Sequence, residues 1–135
     1  MKITGGCLCG AVRYEALSAP LFGGFCYCTE CRKTSSSHTA ALAMPLAGMT
    51  FTGAMKSYRC QALSGAMVDR AFCPECGTGI YSAGESREGV IMLKAGTLDD
   101  PEHFKPMAAV FVSRAPSWDQ PAAGLMTFLE MPPQG

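Results

Sequence analysis

Seven of the eight cysteines in this chain fall into three tight clusters: Cys7-Leu8-Cys9, Cys26-Tyr27-Cys28-Thr29-Glu30-Cys31 and Cys73-Pro74-Glu75-Cys76-Gly77. Thiolates at these spacings hold soft metal ions. Zinc is the expected one, because it is redox-inert and accepts tetrahedral sulfur ligands. The count divides unevenly. The two paired motifs, Cys7/Cys9 and Cys73/Cys76, fill one four-coordinate site and pin the start of the chain to its middle. The remaining cluster, Cys26, Cys28 and Cys31, offers only three ligands. A zinc held by three thiolates has a vacant position, and vacant positions are where metal chemistry happens.

The bulk composition narrows the setting. A chain of 135 residues fits one domain, 1–135, and is long enough to bury a core. With 48% hydrophobic and 16% charged residues it is not a disordered chain. Eleven basic and eleven acidic residues cancel, so the surplus of Lys and Arg usual in nucleic-acid binders is missing. Met1 to Gly6 carries no apolar run of a secretory signal. The most apolar stretch, Ala40 to Phe51, is interrupted by Pro45 and Gly48 and falls short of the roughly 20 residues a bilayer span needs. The expectation is a soluble cytoplasmic protein with neither membrane nor nucleic acid as partner. In that reducing compartment, clustered cysteines serve as ligands rather than disulfides.

Short β-like runs between turn signals dominate the pattern. Strands are expected at Ala11–Ala16, Phe22–Tyr27, Ala40–Met44, Met49–Thr52, Lys56–Arg59, Val68–Phe72, Gly89–Ala95 and Ala108–Val112. Thr29 is expected to cap a short helical turn through Thr34, and Asp99 to Phe104 reads as a capped single turn with Pro101 near its start. The tail from Pro132 reads as frayed. The fold class is therefore mainly β with little helix.

Each cluster has its own local logic. In Cys73-Pro74-Glu75-Cys76-Gly77, Pro74 presets one backbone angle and Gly77 accepts a left-handed one, so the two sulfurs converge. Cys7 and Cys9, and likewise Cys26 and Cys28, are expected on strands whose alternation puts both thiols on one face. The four-sulfur site is expected to be structural and to couple zinc affinity to folding. For the three-sulfur site, Cys60 and His38 are the possible fourth ligands, and either would close it. Left open, a zinc with three thiolates bears a net negative charge. It is then a poorer Lewis acid than a three-histidine zinc, which favours thiolate delivery over water activation. Arg32 and Lys33, directly after Cys31, are positioned to balance that charge or to hold a substrate carboxylate. Trp118 reads as a packed loop anchor, and the nine methionines as fillers of core gaps.

The motifs together resemble a known family. Gly5-Gly6-x-Cys-x-Cys-Gly-Ala-Val-Arg-Tyr, Cys26-x-Cys28-x-x-Cys31-Arg32-Lys33, Arg70-Ala71-Phe72-Cys73-Pro74-x-Cys76-Gly77-Thr78 and Gly96-Thr97-Leu98-Asp99-Asp100-Pro101 are similar to the glutathione-dependent formaldehyde-activating enzymes and their centromere protein V relatives. The resemblance implies an Mss4-like zinc-binding fold of β-sheets. It also implies two zincs, one structural on Cys7, Cys9, Cys73 and Cys76 and one catalytic on Cys26, Cys28 and Cys31. The implied activity is that of a carbon–sulfur lyase on S-(hydroxymethyl)glutathione or a similar thiol adduct. Two positions depart from the family pattern: Tyr27 stands where many members carry His or Gly, and Ser36 where many carry Gly. The alternative reading is a non-catalytic, zinc-stabilised binding module.

Overall fold

The computed structural model describes residues 2–131. Among them the strands are β1 (Ile3–Gly6), β2 (Arg13–Ala16), β3 (Phe22–Cys26), β4 (Thr39–Pro45), β5 (Met49–Thr52), β6 (Lys56–Gln61), β7 (Met67–Phe72), β8 (Gly79–Gly84), β9 (Val90–Lys94), β10 (Ala108–Val110) and β11 (Met126–Thr127). One α-helix, α1 (Thr29–Ser35), lies between β3 and β4, and short 3₁₀ turns cover Ala95–Thr97, Pro101–His103 and Val112–Arg114. Two sheets result. A small one has the order β1-β2-β5, and a large one the order β11-β10-β3-β4-β9-β8-β7-β6. Pairing is antiparallel except where β10 runs parallel to β3 and β11. The chain is mainly β, as its turn-rich pattern predicts.

Alternation along the central strands decides which face is apolar. Leu42 of β4 lies opposite Leu93 of β9, and Met44 opposite Ile91. These four are almost wholly buried, with Ile80, against Ile3, Tyr14 and Ala16 of the small sheet. Burying each large aliphatic side chain contributes about 1.5–3 kcal/mol, so this seam is the main apolar support of the fold. Close approach between the sheets depends on Gly5. A Cβ there would stand 2.2 Å from the Tyr14 hydroxyl and 2.3 Å from the Thr97 carbonyl oxygen. The Tyr14 and Thr97 hydroxyls lie 2.8 Å apart, and Thr97 donates to the Lys94 carbonyl at 2.7 Å. The small sheet is thereby tied to the end of β9.

The other face of the large sheet carries different residues. Cross-strand partners share a face, and so do residues two apart on one strand. Cys26 pairs with Thr39, Ala41 with Lys94, Met92 with Ser82, and Ser82 with Arg70. One polar face therefore runs from Cys26 across to Arg70. Helix α1 is held to it by Thr39, whose hydroxyl lies 2.7 Å from that of Ser35 and donates to the Cys31 carbonyl at 3.3 Å.

Several expectations change in detail. Cys7 and Cys9 are not on a strand, because β1 ends at Gly6 and the chain turns, with Gly10 N–H donating to the Cys7 carbonyl at 3.2 Å. Cys26 closes β3 but Cys28 has already left it, so their thiols converge through a strand-to-helix corner rather than by alternation. The cap of α1 is Cys28, not Thr29. Cys28 keeps an extended backbone, and its Sγ accepts the Cys31 N–H at 3.4 Å, while Thr29 is already helical. The capped turn near Pro101 is present, with Asp100 accepting from Glu102 N–H at 3.0 Å. Trp118 is 67% exposed and anchors no packed loop. Met44 fills the core, whereas Met107, Met126 and Met131 are exposed. The tail from Pro132 lies outside the described residues.

Candidate metal centres and the cavity between them

The first cluster is built from two turns. Cys7, Cys9, Cys73 and Cys76 present four Sγ atoms that all lie within 4.8 Å of one another. Cys9 Sγ is 3.6 Å from Cys7 and 3.8 Å from Cys73, a residue 64 positions away. None of the four is in a disulfide. The turn after Cys73 closes by Gly77 N–H donating to its carbonyl at 2.8 Å, and Gly77 sits at φ +78°, the left-handed angle expected of it. Backbone and hydroxyl groups point at the sulfurs. Val12 N–H donates to Cys7 Sγ at 3.2 Å, and the Thr78 hydroxyl lies 3.1 Å from Cys76 Sγ. The Val12 contact lowers the Cys7 pKa, and Thr78 holds Cys76 at about 5. Cys9 is pushed the other way by its sulfur neighbours, so Cys7 and Cys76 are the thiols stabilised as thiolates, and four sulfurs this close together fit zinc. Cys7 and Cys73 belong to the hydrophobic core itself, and Cys76 packs against it.

The second cluster lies at the corner between β3 and α1. Cys26, Cys28 and Cys31 also hold their sulfurs within 4.8 Å of one another. Among the described residues no fourth Cys, His, Asp or Glu joins them. Hydrogen bonding from Cys26 and then Cys28 holds the Cys31 thiol far below its ordinary range, and contacts with Cys28 and then Cys31 push Cys26 far up. The three thiols thus behave as one acid–base unit in which Cys31 gives up its proton first. Such a unit, too, fits a soft divalent metal.

A cleft of about 620 Å³ is lined among others by Cys7 of the first cluster and by Thr34, His38, Thr39, Lys94 and Asp99, but by none of the three cysteines of the triad. A smaller cavity of about 230 Å³ adjoins it, bordered by Tyr58, Arg70 and Phe72. Thr34, Gly79 and Lys94 line both. Burial lowers the Lys94 pKa, and the charge of Cys31 draws it back up. His38 stands on the rim of the larger cleft. Its Nδ1 lies 2.9 Å and 3.0 Å from the two carboxylate oxygens of Asp119, and its own backbone N–H donates to Asp119 Oδ2 at 2.8 Å. Its ring is set edge-on to Phe25 at 4.9 Å and tilted against Tyr27 at 5.3 Å. A histidine gripped this way at Nδ1 has its tautomer fixed by the carboxylate.

Residues 2–114 match the family of glutathione-dependent formaldehyde-activating enzymes. The chain belongs to that family. No curated protein matches it. Among solved structures, a Rhodobacter sphaeroides protein solved by structural genomics shares the fold, with a TM-score of 0.59 at 19% identity, over 93% of this chain and 98% of that one.

Family membership frames what the sequence reading found and what it missed. All seven clustered cysteines come together as the spacing predicts, in a set of four and a set of three. Cys60 and His38, the possible fourth ligands, do not join the triad. Cys60 lies on β6 opposite Val68 of β7. Arg32 and Lys33 sit in the last turn of α1 and border neither cavity. The family position held by Ser36 explains itself. Ser36 caps α1 at φ +71°, a left-handed angle that glycine adopts without strain. Lys94, Arg70 and the His38–Asp119 pair were missed as site residues. Lys94 lies in an apolar strand run, Asp119 is 81 positions from His38, and only the sheet register brings Arg70 to the face of Cys26.

Proposed function

We propose that this chain is a zinc-dependent carbon–sulfur lyase acting on a glutathione adduct or similar thiol conjugate, with S-(hydroxymethyl)glutathione as the type substrate. The observation that carries this reading is the unequal ligand count: four sulfurs in one cluster and three in the other. Zinc on Cys26, Cys28 and Cys31 would supply a soft coordination position that lowers the pKa of a thiol by several units. The family match supports the substrate class.

The residues of the chain divide the remaining work. Cys31 is the thiol most readily ionised in the triad. Lys94 places positive charge beside the triad, and Arg32 and Lys33 add more on the outer turn of α1. In the cleavage direction the carbon–sulfur bond breaks and its electron pair stays on sulfur. The hydroxyl oxygen loses its proton and forms the carbonyl of formaldehyde. His38, fixed through Nδ1 by Asp119 and facing the cleft, is the candidate acceptor for that proton. The reverse direction joins thiol and aldehyde. The four-sulfur cluster, set in the core, serves folding. Eight free cysteines suit a reducing, cytoplasmic setting. No helix among the described residues is long and apolar enough to cross a membrane.

Replacing Cys26 by Ser tests the reading. Turnover of S-(hydroxymethyl)glutathione, followed by formaldehyde release, is expected to fall to background while the fold persists. Intact turnover in Cys26→Ser would rule out chemistry at this metal. A binding module closed by a fourth protein ligand is the weaker reading, because neither Cys60 nor His38 joins the triad.

A further inference from the structure

Two cations, Lys94 and Arg70, share the polar face that begins at Cys26, and neither has a carboxylate partner among the described residues. Arg70 and Lys94 take part in none of the ion pairs that Lys2, Arg13, Arg59 and Arg114 form. Arg70 Nε is buried and has no hydrogen-bond acceptor. An unpartnered buried cationic N–H is costly, so such groups are normally answered by an acceptor. Both charges act on nearby cysteines: Lys94 interacts with Cys31 first and then Cys26 and Cys28, and Arg70 with Cys60 first and then with Cys31 and Cys28. Three thiolates on a divalent metal sum to one negative charge. Arg70 and Lys94 supply two positive ones, which leaves one positive charge unanswered beside the metal position. The smaller cavity lies where that charge is displayed, with Arg70, Lys94 and Tyr58 on its walls. Gly79 and Thr34 border it as well.

We propose that Arg70 and Lys94 form a carboxylate subsite next to the Cys26–Cys28–Cys31 triad, so that the preferred substrate is a thiol carrying a carboxylate within reach of the metal-bound sulfur. The proposal rests on the thiol-accepting reading above and adds the anchor for the rest of the substrate. Arg70 offers a planar N–H fork suited to a carboxylate, and Lys94 a point charge shared with the triad. Neither Arg32 nor Lys33 borders this cavity. The subsite is the complement of a small acidic thiol and has nothing to offer a neutral one.

The test uses the zinc-loaded protein and three probes: 3-mercaptopropionate, 2-mercaptoethanol, and propionate, which has no sulfur. The first is expected to bind at least about tenfold tighter than the second by calorimetry, the advantage of one charge-assisted contact. Arg70→Gln is expected to abolish that preference without weakening 2-mercaptoethanol, Lys94→Gln to abolish it as well, and Arg70→Lys to restore part of it. Propionate alone is expected to shift the Arg70 Nε–H resonance. A preference that survives both Gln variants, or an Arg70 resonance indifferent to propionate, overturns the subsite. If propionate shifts Arg70 while neither thiol binds, the subsite stands and the thiol-accepting metal falls.

Discussion

The two cysteine clusters use the same donor atom and differ in almost everything around it. The four-sulfur cluster is stitched from two turns, has Cys7 and Cys73 buried in the core, and receives backbone N–H and hydroxyl groups at its sulfurs. The three-sulfur cluster hangs on a strand-to-helix corner, lies outside the hydrophobic core cluster, and has the charge of Lys94 acting on it. Ligand chemistry alone does not set the role of a metal site. On the proposed function, the number of sulfurs and the packing around them would separate a staple from a workplace.

The contrast breaks first at Cys73. It is fully buried, and its loss removes a ligand from the site that joins residues 64 positions apart. Structural zinc contributes about 10–16 kcal/mol in small zinc domains, which matches or exceeds the whole stability of a typical domain. Cys73→Ser is therefore expected to lose cooperative melting by circular dichroism, whereas Cys26→Ser keeps it and loses one zinc per chain. Equal melting of the two variants would erase the distinction.

A smaller effect is expected at His38. His38→Gln should lower kcat about 10²–10⁴-fold, the range for a positioned acid–base group, with zinc content and melting unchanged. An unchanged kcat would remove His38 from the chemistry and leave proton transfer to solvent.

The smallest effect belongs to the staple side. Arg13 forks onto Asp99, with Thr4 donating to the same carboxylate at 2.8 Å, and these contacts hold the Asp99 carboxyl at about 2 instead of 3.8. A carboxyl lowered on folding stabilises the fold above its unfolded value and loses that contribution as pH falls through its folded value. The stability gap between the native chain and Asp99→Asn should be constant above pH 3.8 and close on descending to about pH 2. Because the pair is exposed, the gap itself is small. A gap that widens on acidification would contradict this sign.

Much of this was legible in the residues, and what was not has physical reasons. Met49–Thr52 forms β5 with the expected bounds, and most other strands shift by a residue or two at their ends. Strands β1 and β8 escaped notice because Ile3-Thr4-Gly5-Gly6 and Gly79-Ile80-Tyr81-Ser82-Ala83-Gly84 carry glycines that read as turns. At Gly5 the glycine is there for close packing on Tyr14, a tertiary demand that no local pattern displays. The cysteine sets were legible because ligand spacing is local. The cations on the face of Cys26 were not, because Arg70 and Cys26 are brought to one face only through four strand pairings.

The central claim is that one metal is saturated by protein sulfur and the other is not. Cobalt substitution of both sites, followed by X-ray absorption and visible spectroscopy with and without glutathione, measures it directly. The expected result is one four-sulfur site indifferent to glutathione, and one site with three protein sulfurs that gains a fourth on addition. Two sites with four protein sulfurs each before any thiol is added, or a second site that never takes up sulfur, would contradict it.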